Sequence, residues 1–193
     1  MRTIRGVALA TYYAKGAEAA QATANSSSIR TLVYAVKNNR ARPNQAQLVI
    51  HSRHPAAPAG VWVDRDNAIG YVAAIVARHL PRIRQRLGIE AGGAVLVPVP
   101  SSSVTKDTVE SDRFPALKLA RAYEEVGLGE CRVAAINRTV VQGKTLGVKR
   151  TADEIFKNLV LMGRMQRECS VVFVDDLVTT GASLAAIDHL VNA

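Results

Sequence analysis

Cysteine is scarce in this chain. Only Cys131 and Cys169 occur among its 193 residues. Neither belongs to a Cys-x-x-Cys pair, which excludes a thiolate zinc site and leaves no disulfide framework. Such usage fits a reducing compartment, so a cytoplasmic setting is expected. Cys169, just before an apolar run, reads as a packing residue. Aromatic residues make up 5% of the chain, too few for a single-strand binder built on stacked rings. Long apolar runs are missing as well. The longest, Tyr71 to Ala77, falls far short of the ~20 residues that cross a bilayer, so no membrane association is expected. Arg2 to Ala14 faintly imitates an export leader. Thr11, Tyr12 and Tyr13 interrupt it, and its alternating β-formers suit a first strand better.

Several ligand signatures are also absent. There is no internal repeat and no G-x-G-x-x-G run, which argues against an ordinary dinucleotide-binding domain. Gly143-Lys144-Thr145 ends like a Walker A loop, but the first glycine that loop needs falls on Arg138. His51 and His54 have i, i+3 spacing. They sit in a Pro-rich stretch with no nearby carboxylate, which argues against a metal site.

What is present is an apolar fraction of 48% with 21% charged residues, enough to bury the core of one compact domain. The net charge is +9 and the sequence pI is near 10.0. That balance suits polyanionic partners: nucleic acid, phosphate-rich metabolites, or both.

Apolar spacing and breakers outline the elements. Ser26-Ser27-Ser28 reads as the cap of a helix carrying Ile29, Leu32, Val33 and Val36, stopped between Asn38 and Pro43. His51 to Gly60 is a loop. Asp66 is expected to cap a second helix, whose apolar face is Val72, Ile75, Val76, Leu80, Ile83 and Leu87. Pro81 should kink or restart it. After a turn at Gly92-Gly93, Ala94 to Val97 is wholly apolar, as in a strand covered on both faces. A helix is expected from about Asp112 to Val126, closed by Gly127. A strand over Arg132 to Ile136 and a short helix over Thr151 to Asn158 follow. Val171 to Val174 reads as a second buried strand, and Ala182 to Val191 as a last helix. Strands alternating with helices predict a single-domain α/β fold with a mainly parallel sheet flanked by helices.

One stretch carries chemistry. The strand Val171 to Val174 ends in Asp175 and Asp176, and a small turn, Thr179-Thr180-Gly181-Ala182-Ser183, opens a helix. Open α/β sheets bind ligands at the carboxyl ends of their strands. A helix N-terminus offers free N–H groups and the positive end of a dipole to a phosphate. Gly181 lets the backbone approach an anion, and Thr179, Thr180 and Ser183 add hydroxyl donors. Two carboxylates beside that site would repel a phosphate. They fit if they accept hydrogen bonds from the hydroxyls of a sugar that carries it.

This run resembles the phosphoribosyl-pyrophosphate signature of the type I phosphoribosyltransferases. Val97-Pro98-Val99-Pro100, followed by Ser101, Ser102 and Ser103, resembles the pyrophosphate loop of that family. Asn137 to Arg150, with Arg138, Gly143, Lys144, Gly147, Lys149 and Arg150, resembles its mobile loop. Within the family the pattern is most similar to the ComF-like (competence protein F-like) group. Arg113-Phe114 and Lys157-Asn158-Leu159 stand in the matching order, and Ile29 to Arg40 resembles a further helix more loosely. The resemblance covers roughly residues 94 to 192. The group's N-terminal four-cysteine zinc finger is missing here.

The resemblance implies transfer from phosphoribosyl pyrophosphate to a nucleobase-like nitrogen acceptor, with release of pyrophosphate. Asp175 and Asp176 would hold the ribose hydroxyls and, through the substrate, Mg²⁺. Thr179, Thr180, Gly181, Ala182 and Ser183 would hold the 5′-phosphate, and Ser101 to Ser103 the pyrophosphate. Lys144, Lys149 and Arg150 would act at the reacting centre. Residues 94–193 would form the core and residues 1–93 an acceptor-side hood. A second copy of the chain is among the partners expected. Some members carry a carboxylate base where Thr179 stands, so a base here must come from elsewhere. A different reading keeps the phosphoribosyl pyrophosphate site but not the catalysis, in a sensor or nucleic-acid-associated accessory protein of the ComF type. Arg78, Arg82 and Arg86, four residues apart on one predicted helix, are its nucleic-acid candidates.

Overall fold

The computed structural model describes residues 7, 29, 32–37, 46–48, 61–89, 93–110, 113–140, 151–163, 169–178 and 180–192. Several expectations lie outside these residues: the first strand in Arg2 to Ala14, the Ser26 to Ser28 cap, the Asn38 to Pro43 stop and the loop His51 to Gly60. Gly92, the stretch 141–150 with Lys144, Lys149 and Arg150, and Thr179 lie outside them too.

Ile29 and Leu32 to Val36 are helical, as their apolar spacing requires. Strands β1 (Ala46–Leu48) and β2 (Val61–Val63) pair antiparallel, with Gln47 opposite Trp62. Helix α1 (Ala68–Arg78) follows. Its N-cap is Asn67, not the expected Asp66, and that side chain makes no capping bond to the helix; the turn before it is locked instead. Asp64 Oδ1 accepts from the N–H groups of Asp66 and Asn67, and Asn67 Oδ1 accepts from Asp64 N–H at 2.9 Å. This reciprocal turn uses the earlier aspartate and leaves Asp66 exposed. The helix then breaks at His79, and α2 (Leu80–Leu87) restarts with Pro81 in its first turn, where a missing N–H costs nothing.

Strand β3 (Ala94–Pro98) is buried along its whole length. Ala94 and Leu96 face one apolar cluster with Val72, Val76, Leu119 and Tyr123. Val95 and Val97 face a second with Leu159, Ala186 and Ile187. Side chains of a strand alternate faces, so a strand clad on both sides must be apolar throughout. Helix α3 (Pro115–Glu125) begins three residues later than expected, after the fully buried Phe114, and ends before Gly127 at φ +81°. Gly129 then passes so close to β3 that a Cβ there would meet the Ala94 carbonyl.

The strand expected over Arg132 to Ile136 is two strands. β4 (Glu130–Cys131) pairs parallel with β3, and β5 (Ala135–Asn137) pairs antiparallel with β6 (Leu159–Leu161). Arg132 to Ala134 carry the chain from one sheet to the other. Helix α4 (Ala152–Asn158) opens on a reciprocal cap between Thr151 and Glu154. β7 (Ser170–Val174) pairs parallel with β3, and α5 (Ala182–Asn192) covers it. β7 is less buried than expected, with only Val174 fully enclosed, because β3 is its one partner among the described strands.

The architecture is α/β, with a three-stranded parallel sheet in the order β4-β3-β7 flanked by helices. Two antiparallel pairs accompany it. Leu32, Val36, Val63, Val72 and Ile83 share an apolar cluster with Leu96, Leu119 and Val174, so chain before and after position 93 builds one core. No helix among the described residues is long and apolar enough to cross a membrane.

Candidate functional site

The parallel register sets Pro98 opposite Val174, and Val99 N–H donates to the Val174 carbonyl at 2.8 Å. The two loops that carry the sequence signatures therefore leave the sheet side by side, at the carboxyl ends of β3 and β7. In an open α/β sheet this is where a ligand finds convergent backbone and side-chain groups.

The first loop is braced from within and below. Val104 N–H donates to the Ser101 carbonyl at 3.0 Å, and the hydroxyls of Ser101 and Ser103 lie 3.1 Å apart. Thr108 Oγ1 donates to the Ser103 carbonyl at 2.9 Å and accepts from Thr105 N–H at 2.9 Å. Ser101 is exposed, while Ser102 and Ser103 are half-buried. Beneath them lies Asn137, 4% exposed. Its Nδ2 donates to the carbonyls of Ser101 at 2.7 Å and Val104 at 2.9 Å, and its Oδ1 accepts from Asn158 Nδ2 at 3.2 Å. Asn158 Nδ2 also donates to the Thr139 carbonyl, and Arg138 N–H donates to the Asn158 carbonyl at 2.7 Å. One chain of amides thus ties the Ser101 loop, the end of α4 and the first residues of the basic segment Asn137 to Arg150. In the sequence Asn158 stands only within the Lys157-Asn158-Leu159 resemblance, and no local signal marks Asn137 as a brace.

The second loop begins at the carboxylates. Asp176 N–H donates to Asp175 Oδ1 at 2.9 Å. Burial first, then the adjacent Asp176 charge and a hydrogen bond shared with it, push the Asp175 carboxyl up to about 7. Asp176 is held differently. Its side chain is 10% exposed, and its Oδ2 lies 2.8 Å from Lys37 Nζ. That contact is an ion pair without an aligned hydrogen bond, since Oδ2 has no hydrogen-bond partner among the described residues. Nothing in the local sequence marked Lys37. Thr180 is exposed, Gly181 takes φ +76°, and Ala182 and Ser183 are half-buried in the first turn of α5. The positive φ explains glycine at 181, because a Cβ there would meet no neighbour and only the backbone shape excludes one.

Asp175 makes stability depend on pH. Between the ordinary carboxyl value of 3.8 and about 7, the folded chain holds this proton more tightly than the unfolded chain does. Stability contributed by the group should therefore fall as pH rises across that window. Asp175→Asn should flatten this part of a melting-temperature profile and melt higher than the parent at pH 8. Equal slopes in parent and variant would contradict the assignment.

Among the described residues, no three His, Cys, Asp or Glu side chains cluster as a metal cage. The oxygens of Asp175 and Asp176 suit a hard cation such as Mg²⁺, provided a ligand or water supplies the other donors. Arg78, Arg82 and Arg86 are exposed, but the break at His79 divides them between α1 and α2. A groove lined by Ile69, Ala73, Lys118 and Ala122 lies between α1 and α3 and shares no residue with the site. Comparison with family models, with curated proteins and with solved structures finds no match to this chain.

Proposed function

We propose that the chain is a type I phosphoribosyltransferase, most similar to the ComF-like group, which transfers the phosphoribosyl unit of phosphoribosyl pyrophosphate to a nucleobase-like nitrogen acceptor. One observation carries the reading. The hydrogen bond from Val99 N–H to the Val174 carbonyl puts the start of the serine loop beside the start of the Asp175-Asp176 turn, which supports the reading. A ligand with a diol between two phosphate groups matches such a pair of loops.

In the proposed reaction a nitrogen lone pair forms a bond to the anomeric carbon. The bond from that carbon to the pyrophosphate oxygen breaks, and its electrons leave with pyrophosphate. In the transition state, with the carbon–oxygen bond largely broken and the carbon–nitrogen bond only partly formed, positive charge on the ribose ring resembles an oxocarbenium ion. Asp175 and Asp176 would accept from the ribose hydroxyls and stabilise that charge. The N–H groups and hydroxyls from Thr179 to Ser183 would anchor the 5′-phosphate. The backbone and hydroxyls of Ser101 to Ser103 would meet the pyrophosphate. Lys144, Lys149 and Arg150 would neutralise it as it departs. Mg²⁺ bound with the substrate would supply further charge neutralisation. Thr179 is not a base at neutral pH, so the acceptor's proton must go to another group or to solvent. Release of pyrophosphate from phosphoribosyl pyrophosphate and Mg²⁺, assayed across a panel of nucleobases, tests the activity. Release above the uncatalysed rate with at least one base is expected. Tight binding without release for any base would favour the sensor.

The exposed Arg78, Arg82 and Arg86 support a second reading, a non-catalytic accessory protein that engages nucleic acid. Replacing all three with Gln should then flatten log affinity against log salt by about 2 to 3 units for short duplexes. An unchanged slope, or no binding by the parent near physiological salt, would leave these arginines as solvated surface.

A further inference from the structure

Lys37 comes from the half of the chain that carries no ligand signature, yet its ammonium sits on the Asp176 carboxylate. Its place is imposed by packing. Ala35 and Val36, immediately before it, are 2% and 7% exposed, in the same apolar cluster as Val174, the residue just before the two carboxylates. Lys37 N–H closes the turn on the Val33 carbonyl at 3.0 Å. The ammonium is thus delivered by an anchored turn to Asp176 Oδ2, a buried oxygen with no hydrogen-bond partner among the described residues.

Two adjacent carboxyls in a partly buried loop would ordinarily protonate or draw in a cation. Here the cation is already present. A divalent ion arriving at Asp176 would meet a like charge 2.8 Å from the same oxygen. We propose that Lys37 is a resident counterion that closes Asp176 to free divalent cations and is displaced when the cation arrives with a polyphosphate, whose negative charge the released ammonium can meet. The identity of the polyphosphate rests on the phosphoribosyl reading. The exchange between ammonium and metal does not.

Free Mn²⁺, a paramagnetic stand-in for Mg²⁺, is the probe, titrated into the full chain and followed by electron paramagnetic resonance. Lys37→Met should bind Mn²⁺ about tenfold more tightly than the parent, or more, because the competing charge is gone. Lys37→Arg, which keeps the charge, should bind as weakly as the parent. Equal Mn²⁺ affinity in parent and Lys37→Met would overturn the proposal. If Lys37→Met does not fold, the parent alone decides. Mn²⁺ together with pyrophosphate should displace Lys37 and change its rate of acetylation, mapped by mass spectrometry, where Mn²⁺ alone does not, and an unchanged rate with both present would overturn the proposal equally. Titration of the parent with phosphoribosyl pyrophosphate and Mg²⁺ separates the two claims. A gain in Mn²⁺ affinity without that binding would leave the counterion in place and remove the substrate.

Discussion

Replacing Asp175 and Asp176 together by Asn should abolish binding of phosphoribosyl pyrophosphate with Mg²⁺ while the domain stays folded. In the proposed complex each carboxylate accepts from a ribose hydroxyl and adds charge that favours the cation. A hydrogen bond to a charged group contributes about 1.5 to 3 kcal/mol, so losing two costs about 3 to 6 kcal/mol, or roughly 10² to 10⁴ in affinity. The fold should survive because neither side chain packs the core. Burial already opposes ionisation of Asp175, so an amide there relieves a strain on the folded state. Asp176 gives up its ion pair, but the Lys37 side chain is 35% exposed and can take up water instead. Calorimetric titration beside a circular-dichroism melt separates the outcomes. Normal affinity would remove the ribose assignment, and loss of the fold would make the pair structural.

Asn137→Ala should have the largest effect on stability of any single change at the site. The side chain makes three hydrogen bonds, a buried one to Val104 and part-buried ones to Ser101 and Asn158. Both carbonyls keep one backbone donor, since Val104 N–H reaches Ser101 and Asn137 N–H reaches Val104. The loss is therefore less than three orphaned groups would cost, about 2 to 3 kcal/mol. For a chain of this size that is a fall in melting temperature of roughly 5 to 10 °C. Asn137→Asp should be worse at neutral pH, because a carboxylate would face two carbonyl oxygens. Affinity for pyrophosphate should fall more than affinity for ribose 5-phosphate, since Asn137 braces the Ser101 loop and not the Asp175 loop. Equal losses for both ligands would mean a general loosening of the domain.

These two sites differ in how far sequence alone exposes them. Asp175 and Asp176 follow a run of apolar residues and precede a helix-opening turn, so strand end, acids and helix start are all local signals. The same holds for β3, whose unbroken apolar run reports cladding on both faces, and for the cap at Thr151, written in the spacing of Thr151 and Glu154. Asn137 and Lys37 act across long separations. No period or spacing near Lys37 announces Asp176, because packing of Ala35 and Val36 into the core with Val174 makes that contact. The change of sheet between Cys131 and Ala135 was hidden for a related reason. Alternation fixes which side a residue faces, but not which neighbour its strand pairs with. The helix start at Asn67 is not legible because Asp64, Asp66 and Asn67 are all turn formers, and only the hydrogen bonds distinguish them.

Isothermal titration of the 193-residue chain with phosphoribosyl pyrophosphate, in the presence and absence of Mg²⁺, tests the central claim most directly. Saturable binding of one ligand per chain, strengthened by Mg²⁺ and competed by ribose 5-phosphate, is the expected result. No saturable heat at millimolar ligand, or binding that neither Mg²⁺ nor ribose 5-phosphate alters, would contradict a phosphoribosyl site at the ends of β3 and β7.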